Sequence, residues 1–447
     1  MIDFPTLTSS PKTTFFPSNL ALFKRQALLW ANQFDTVCHL DSNEYQHDKY
    51  SSCEALVAVG AVRELAIAHT GEGAFKQLKD LVDERKSWLF GFLTYDLKND
   101  IERLDSRNFD GVGMPVLHFF EPKYVIQIYD EKVVIHSKEN DSEDIFYQIE
   151  NTLVDIDFDK KTNIAVQPRI PKNEYLNIVE KIRQHIIEGD LYEMNFCQEF
   201  FAENIEIEPL TLFLRLNELA KAPFSSFYKK NNQYLLCASP ERFLKKQGQQ
   251  LISQPIKGTI RRGNTPAEDV ELQSRLRHST KDRAENVMIV DLVRNDLTRS
   301  SRTGTIRVKE LFGVYPFEQV NHMISTITST LCEDIHAVDA IRHAFPMGSM
   351  TGAPKVMSMQ LIEQYEQTKR GLYSGAVGYF TPEGDFDFNV VIRSMLYSAS
   401  SRYLSFQVGG AIVYDSVPES EYEECLLKAQ AMLETIGGHA RTRRENS

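Results

Sequence analysis

The strongest constraint on this chain is how closely its apolar segments follow one another. Three strand-like segments, 374–380, 386–397 and 404–414, succeed each other across short turns, and a helical segment over 421–436 comes next, stopped by Gly437-Gly438. Strands joined this tightly pair antiparallel, because a parallel partner needs a crossover of a dozen residues or more. Earlier segments repeat the theme. Residues 88–95, 116–120, 124–129 and 132–136 read as strands, the last two forming a hairpin at Asp130-Glu131. Helical patterns over 20–30 (capped by Asn19), 74–86 and 174–188 (capped by Asn173) fall between the strand groups, as does a mostly helical run over 269–297, while 53–68 reads as a strand leading into a helix. The expected fold class is therefore α+β, in layers, and not a doubly wound parallel sheet. Two prolines in Gln167-Pro168-Arg169-Ile170-Pro171 mark a boundary, giving an N-terminal region 1–165 and a longer region 166–447.

Composition removes several function classes. A net charge of −12 argues against nucleic acid as the partner, and the late run Arg441-Thr442-Arg443-Arg444 reads as a solvated tail. No apolar run approaches the length of a membrane span. The six cysteines are scattered, with no Cys-x-x-Cys pair and no secretory leader ahead of them, as expected of reduced thiols in a cytoplasmic protein.

The chemistry begins at Gln254-Pro255-Ile256-Lys257-Gly258-Thr259, where a lysine sits between an isoleucine and a glycine directly after a strand. Gly258 allows a sharp turn and close approach to a ligand, Thr259 offers a hydroxyl, and desolvation of Lys257 would lower its pKa toward that of a nucleophile. The final helix adds Glu421, Glu424 and Lys428 along one face, opened by a capping box from Ser420 to Glu423. An earlier helix carries Asp282 and Glu285 at the same spacing of three. Each pair alone reads as an exposed acidic face; together they suit one hard cation that wants oxygen ligands. Arg393 ends the apolar run from Phe388, where a guanidinium would grip a carboxylate with two hydrogen bonds. Gly409-Gly410 reads as a turn whose amides could face a second carboxylate. Ser349 adds a hydroxyl; His322 and Tyr373 are weak signals alone. Glu241 reads as an acid or, more plainly, as an ion pair with Arg242. The sum favours a small dianionic substrate.

These residues resemble the chorismate-utilising enzyme family, whose first-component synthases make anthranilate or 4-amino-4-deoxychorismate. The resemblance rests on Ser239-Pro-Glu-Arg-Phe243, Pro255-Ile-Lys-Gly-Thr259, Asp291-Leu-Val-Arg-Asn-Asp296, Phe345-Pro-Met-Gly-Ser-Met-Thr-Gly-Ala-Pro-Lys355 and Glu421-Tyr-Glu-Glu424, in that order, with Gly91-Phe-Leu-Thr-Tyr-Asp96 in the N-terminal region. It implies two packed antiparallel β-sheets with helices outside. It also implies Mg2+ ligated by Glu285 and Glu424, with Asp282 and Glu421 in support, holding the ring carboxylate of chorismate. Arg393 and Tyr373, with the Gly409 and Gly410 amides, would hold the enolpyruvyl carboxylate, and Lys428, Thr259, Gly258 and Ser349 would complete the pocket. Glu241 is similar to the general acid that protonates the departing hydroxyl, and His322 to a histidine beside that centre.

Within the family, Lys257 selects the branch. Anthranilate-forming members have alanine there and add ammonia directly to the ring; where lysine is present it attacks C2 as the C4 hydroxide leaves, and ammonia then displaces it at C4. Ammonia would come from a separate glutamine amidotransferase, since this sequence holds no Gly-x-Cys-x-Gly nucleophile motif. Two positions depart from the pattern. Glu193 stands where aminating members usually have glutamine and water-adding members a lysine, and Ala411 replaces a third glycine. An anthranilate-forming component and a catalytically silent chorismate-binding subunit remain the alternatives.

Overall fold

The computed structural model describes residues 11–156 and 163–438; the run Arg441 to Arg444, expected as a solvated tail, lies outside them. Strands pair antiparallel throughout, and eleven α-helices accompany them among the described residues. One run of pairings leads from Ala55–Ile67 through Thr36–Asp41, Phe224–Lys230, Gln233–Ser239, Ser394–Ser398 and Tyr403–Ile412 to Glu193–Ala202. A second leads from Leu117–Ile128 through Leu89–Leu93, Ala376–Phe380, Phe386–Asn389, Arg242–Gln247 and Gln250–Gln254 to Val320–Thr330. The two are joined where Ala55–Ile67 pairs Leu117–Ile128. Strands from either side of residue 165 pair with one another in both runs.

Side-chain alternation shows how the sheets stack, because successive residues of a strand face opposite sides. In Ala55–Ile67, Val57 and Val59 face a core shared with helices Leu20–Ala31, Lys172–Glu188 and Pro418–Thr435. Leu56 and Ala58 face the other way, onto Phe90, Phe92, Tyr228, Leu235, Val377 and Leu396. The partners Leu89 and Leu93 of that second sheet face a third core, with helices Ala74–Arg85, Thr280–Thr298 and Ala337–Ala344. The order is helices, sheet, sheet, helices: two packed antiparallel sheets, as expected. No helix among the described residues is long and apolar enough to cross a membrane.

Several local expectations change. The segment 53–68 is one strand, Ala55–Ile67, with no helix following directly, and its last residues are half-buried or exposed until Ile67. The helical run over 269–297 is two helices, Pro266–His278 and Thr280–Thr298, divided at Ser279, whose hydroxyl accepts from the Asp282 N–H. Asn19 caps its helix as expected, but Asn173 does not: that helix starts at Lys172 after Pro171. The final helix begins at Pro418, with Val417 and not Ser420 as its cap, because proline at the first position sets the start; Glu421 is in the first turn and Glu424 lies deeper. The segment 386–397 is two strands, Phe386–Asn389 and Ser394–Ser398, for a reason that defines the site.

Candidate active site

Two passages of the chain between the sheets lie side by side, and each carries a candidate side chain. Strand Gln233–Ser239 belongs to one sheet and Arg242–Gln247 to the other, with Glu241 in the step between them. The partner strands Phe386–Asn389 and Ser394–Ser398 make the reverse step, and Arg393 completes it in the left-handed region at φ 49°. Backbone bonds lock the steps together: the Val390 N–H donates to the Glu241 carbonyl (3.0 Å) and the Ala238 N–H to the Arg393 carbonyl (3.1 Å). The apolar Val390-Val-Ile392 bridge hides this break, since both halves are largely buried.

Glu241 is buried and free of the ion pair with Arg242 that its neighbour suggested. Arg242 turns away, donating to Asp387 (2.9 Å) and Asp48 (2.7 Å). Glu241 instead accepts the Ser349 hydroxyl at 2.7 Å. Burial lifts its carboxyl to about 7, against the Ser349 bond and the charges of Lys257 and Arg393. A carboxyl tuned to that range can act as an acid near neutral pH.

Arg393 has no ion-pair partner among the described residues. Burial pulls its guanidinium down to about 10, opposed by Glu241. Its Nη2 lies 2.9 Å from His322 Nε2. A guanidinium only donates, so Nε2 accepts, and the Nδ1 proton points to Thr259 Oγ1 at 2.9 Å. Burial and then the Arg393 charge hold His322 neutral, well below its ordinary range. Arginine, imidazole and hydroxyl thus form one oriented chain, whose arginine still has donors for an anion.

Lys257 emerges from an irregularity in strand Ile256–Arg261. Its register on Val320–Thr330 shifts between Ile256 and Thr259, leaving Lys257 and Gly258 out of the ladder. Gly258 sits at φ 98°, and a Cβ there would stand 3.1 Å from the Asp282 side chain, so glycine permits both the turn and the close approach of helix Thr280–Thr298. Lys257 Nζ donates to Glu193 Oε1 at 2.7 Å. The expected lowering of its pKa is overturned. Burial does pull it down, but contact with Glu193 and the charges of Glu285 and Glu241 push harder, and the resting group is an ammonium held above its ordinary range.

The two helices that carry the acidic pairs lie within reach of one lysine. Lys281 acts on Glu285 of one helix and on both Glu421 and Glu424 of the other. Burial raises Glu285 and Glu421, whereas the Lys428 ammonium, 2.8 Å from Glu424, lowers that carboxyl. Gly409 and Gly410 do not form a turn. They lie inside strand Tyr403–Ile412, opposite Cys197 and Phe196, where the strand has lost its second neighbour beyond Phe406. Lys428 also donates to the Gly409 carbonyl (2.9 Å). A Cβ on Gly410 would stand 3.3 Å from Glu421 Oε2, 3.7 Å from Glu424 Oε1 and 3.9 Å from Lys428 Nζ, filling the space that these heads share.

That cradle and its all-oxygen donor set fit a hard divalent cation. The four carboxylates are not drawn to ligating distance of one another: among the described residues, the one set of three ligand-type groups within 4.8 Å is His185, Glu188 and Asp190, at the end of another helix. Tyr373 is buried, its hydroxyl 3.7 Å from Cys197 Sγ, beside Gly409. Thr259 is exposed.

Sequence reasoning missed the layer behind the site. Arg370 is fully buried and forks onto Glu366 (2.6 and 2.9 Å), while also donating to the carbonyls of Met350 (2.6 Å) and Asn195 (2.9 Å). Glu366 in turn accepts the Cys197 N–H at 2.9 Å. Glu366-Gln-Thr-Lys-Arg370 reads as a polar surface run, and nothing in its pattern signals burial.

A family model described as chorismate binding enzyme matches residues 25–434. The aminodeoxychorismate synthase component 1 of Bacillus subtilis is 33% identical over 359 residues, covering 76% of this chain and 75% of that protein. The chloroplastic aminodeoxychorismate synthase of Arabidopsis thaliana is 39% identical over 326 residues, 70% of this chain; the match spans only 35% of that protein's length. The crystal structure of anthranilate synthase component I from Streptococcus pneumoniae superposes with a TM-score of 0.75 at 26% identity, covering 87% of this chain and 95% of that one. With the family match running through both sheets and every element of the site, this chain belongs to the chorismate binding enzyme family.

Proposed function

We propose that the chain converts chorismate and ammonia to 4-amino-4-deoxychorismate, on the path to 4-aminobenzoate, through a covalent adduct on Lys257. The observation that carries this reading is the Lys257 amine, largely buried on Glu193 and close enough to Glu241 for its charge, with that of Arg393, to act on that carboxyl. Arg393, the Tyr373 hydroxyl and the Gly409–Gly410 backbone hold the enolpyruvyl carboxylate. Lys257 attacks C2 while Glu241 gives its proton to the departing C4 oxygen. Ser349 steadies that carboxyl and the His322–Thr259 pair fixes the arginine. Ammonia then enters at C4 and Lys257 leaves, so one difficult substitution is divided into two. The ammonia source is a glutamine amidotransferase on a separate chain, a reading supported by the component 1 names of bacterial relatives.

Mg2+ would be held by Glu285 and Glu424, with Asp282 and Glu421 behind them, and when bound it supplies positive charge for the ring carboxylate. Glu424→Ala is expected to lose Mg2+-dependent turnover by about 10²-fold or more while folding normally. Calorimetric titration with Mg2+ and circular dichroism check the two halves; retained Mg2+ affinity would remove Glu424 from the ligand set.

Incubation with chorismate, Mg2+ and ammonium, with products identified by mass spectrometry, tests the function itself. The expected product keeps the enolpyruvyl group and yields 4-aminobenzoate when a lyase is added. Anthranilate with released pyruvate would overturn the reading.

A further inference from the structure

Glu193 combines three observations. It is 1% exposed; one oxygen, Oε1, holds Lys257 Nζ at 2.7 Å; and the other, Oε2, is buried with no hydrogen-bond partner. Its backbone is clamped, since Ser358 donates to the Glu193 carbonyl at 3.3 Å and a Cβ on Gly352 would come within 2.1 Å of that oxygen. The backbone that carries the carboxylate is therefore held, and a buried oxygen without a partner is unfavourable unless something occupies it.

We propose that Glu193 is the base of the lysine step, taking a proton from the Lys257 ammonium and storing it on Oε2. The inference rests on the proposed covalent role of Lys257. With the proton on Oε2, Oε1 still accepts an N–H from the amine, and the nitrogen lone pair is left free for the substrate. The nitrogen forms its bond to C2, the ring double bonds shift and the C4–O bond breaks; the Glu241 proton goes to the leaving oxygen, which departs as water. The adduct nitrogen then carries two protons and a positive charge. Ammonia bonds to C4, the double bonds shift back, and the N–C2 bond breaks to release Lys257 as a neutral amine. The surplus proton on the new C4 nitrogen restores Glu241, and the proton stored on Glu193 returns to Lys257.

A passive counter-ion would give the opposite sign. Glu193 holds Lys257 as an ammonium, so if it were only a counter-ion, its removal would free the amine and quicken the reaction. Glu193→Gln keeps the shape and the acceptor toward Lys257 but cannot take a proton. The expected result is a fall in kcat of about 10²-fold or more with KM for chorismate little changed. In single turnovers without ammonia, a species with the mass of chorismate less one water should accumulate on Lys257 more slowly than in the unaltered chain. Glu193→Asp, which keeps a base on a shorter arm, should recover part of the rate and covers the case in which the glutamine variant folds poorly. A glutamine variant as fast as the unaltered chain, or faster, overturns the proposal. If the unaltered chain forms no adduct at all and Lys257→Arg retains full turnover, the failure belongs to the reading of Lys257 instead.

Discussion

Lys257→Ala is expected to lower 4-amino-4-deoxychorismate formation by a factor on the order of 10³ or more, the range seen when a nucleophile that acts as a unit with its neighbours is removed. The alanine variant has a second consequence: it strands Glu193 as a buried charge without a partner, and removal of one member of such a pair destabilises by about 3–5 kcal/mol. Loss of activity in that variant alone would be ambiguous. Lys257→Arg separates the effects, because the guanidinium keeps the positive charge beside Glu193 yet is not a nucleophile. The arginine variant should melt close to the unaltered chain and be as inactive as the alanine variant. Thermal melts and product assays on both variants check this, and wild-type turnover in either would remove Lys257 from the mechanism.

The second large effect is on stability. Glu366→Ala leaves the Arg370 guanidinium buried with two carbonyls, a distant hydroxyl and the face of the Tyr95 ring but no counter-charge, so unfolding free energy should fall by about 3–5 kcal/mol. The change should reach the site as well, because Arg370 ties the carbonyls of Met350, next to Ser349, and Asn195, two residues from Glu193. Replacing both partners, Glu366→Leu with Arg370→Met, should recover most of the stability, since two apolar groups leave no charge unpaired. Urea titration of the single and double variants measures the coupling; a single variant within about 0.5 kcal/mol of the unaltered chain would show that the pair is not needed.

The sequence made the layered α+β architecture legible because short turns and alternation are local signals, and it made the candidate site residues legible because they fall in short polar motifs beside apolar runs. Three kinds of information were not local. The passage of 386–397 from one sheet to the other leaves little mark, as nearly all of the segment is buried on both sides of the step and the φ of Arg393 records the turn. Gly409 and Gly410 looked like a turn because glycine suits turns, yet here the missing side chains make room inside a strand. The contact between Glu193 and Lys257 joins residues 64 positions apart, and with it the sign of the Lys257 shift, which depends on three carboxylates from other elements.

The paired passages between sheets carry one more implication. Glu241 and Arg393 each ride on a rung that links the two sheets, so the depth of both side chains relative to either sheet follows the thickness of the filling between the sheets: Ala58, Cys237, Leu235, Phe92 and Tyr228. Sheets stack about 10 Å apart, and side-chain size sets where in that range they settle. In this architecture a change of one methylene in an apolar layer with no polar role acts as a spacer adjustment on the chemistry. Substrate reach could therefore drift, or be tuned, from positions that no ligand ever touches.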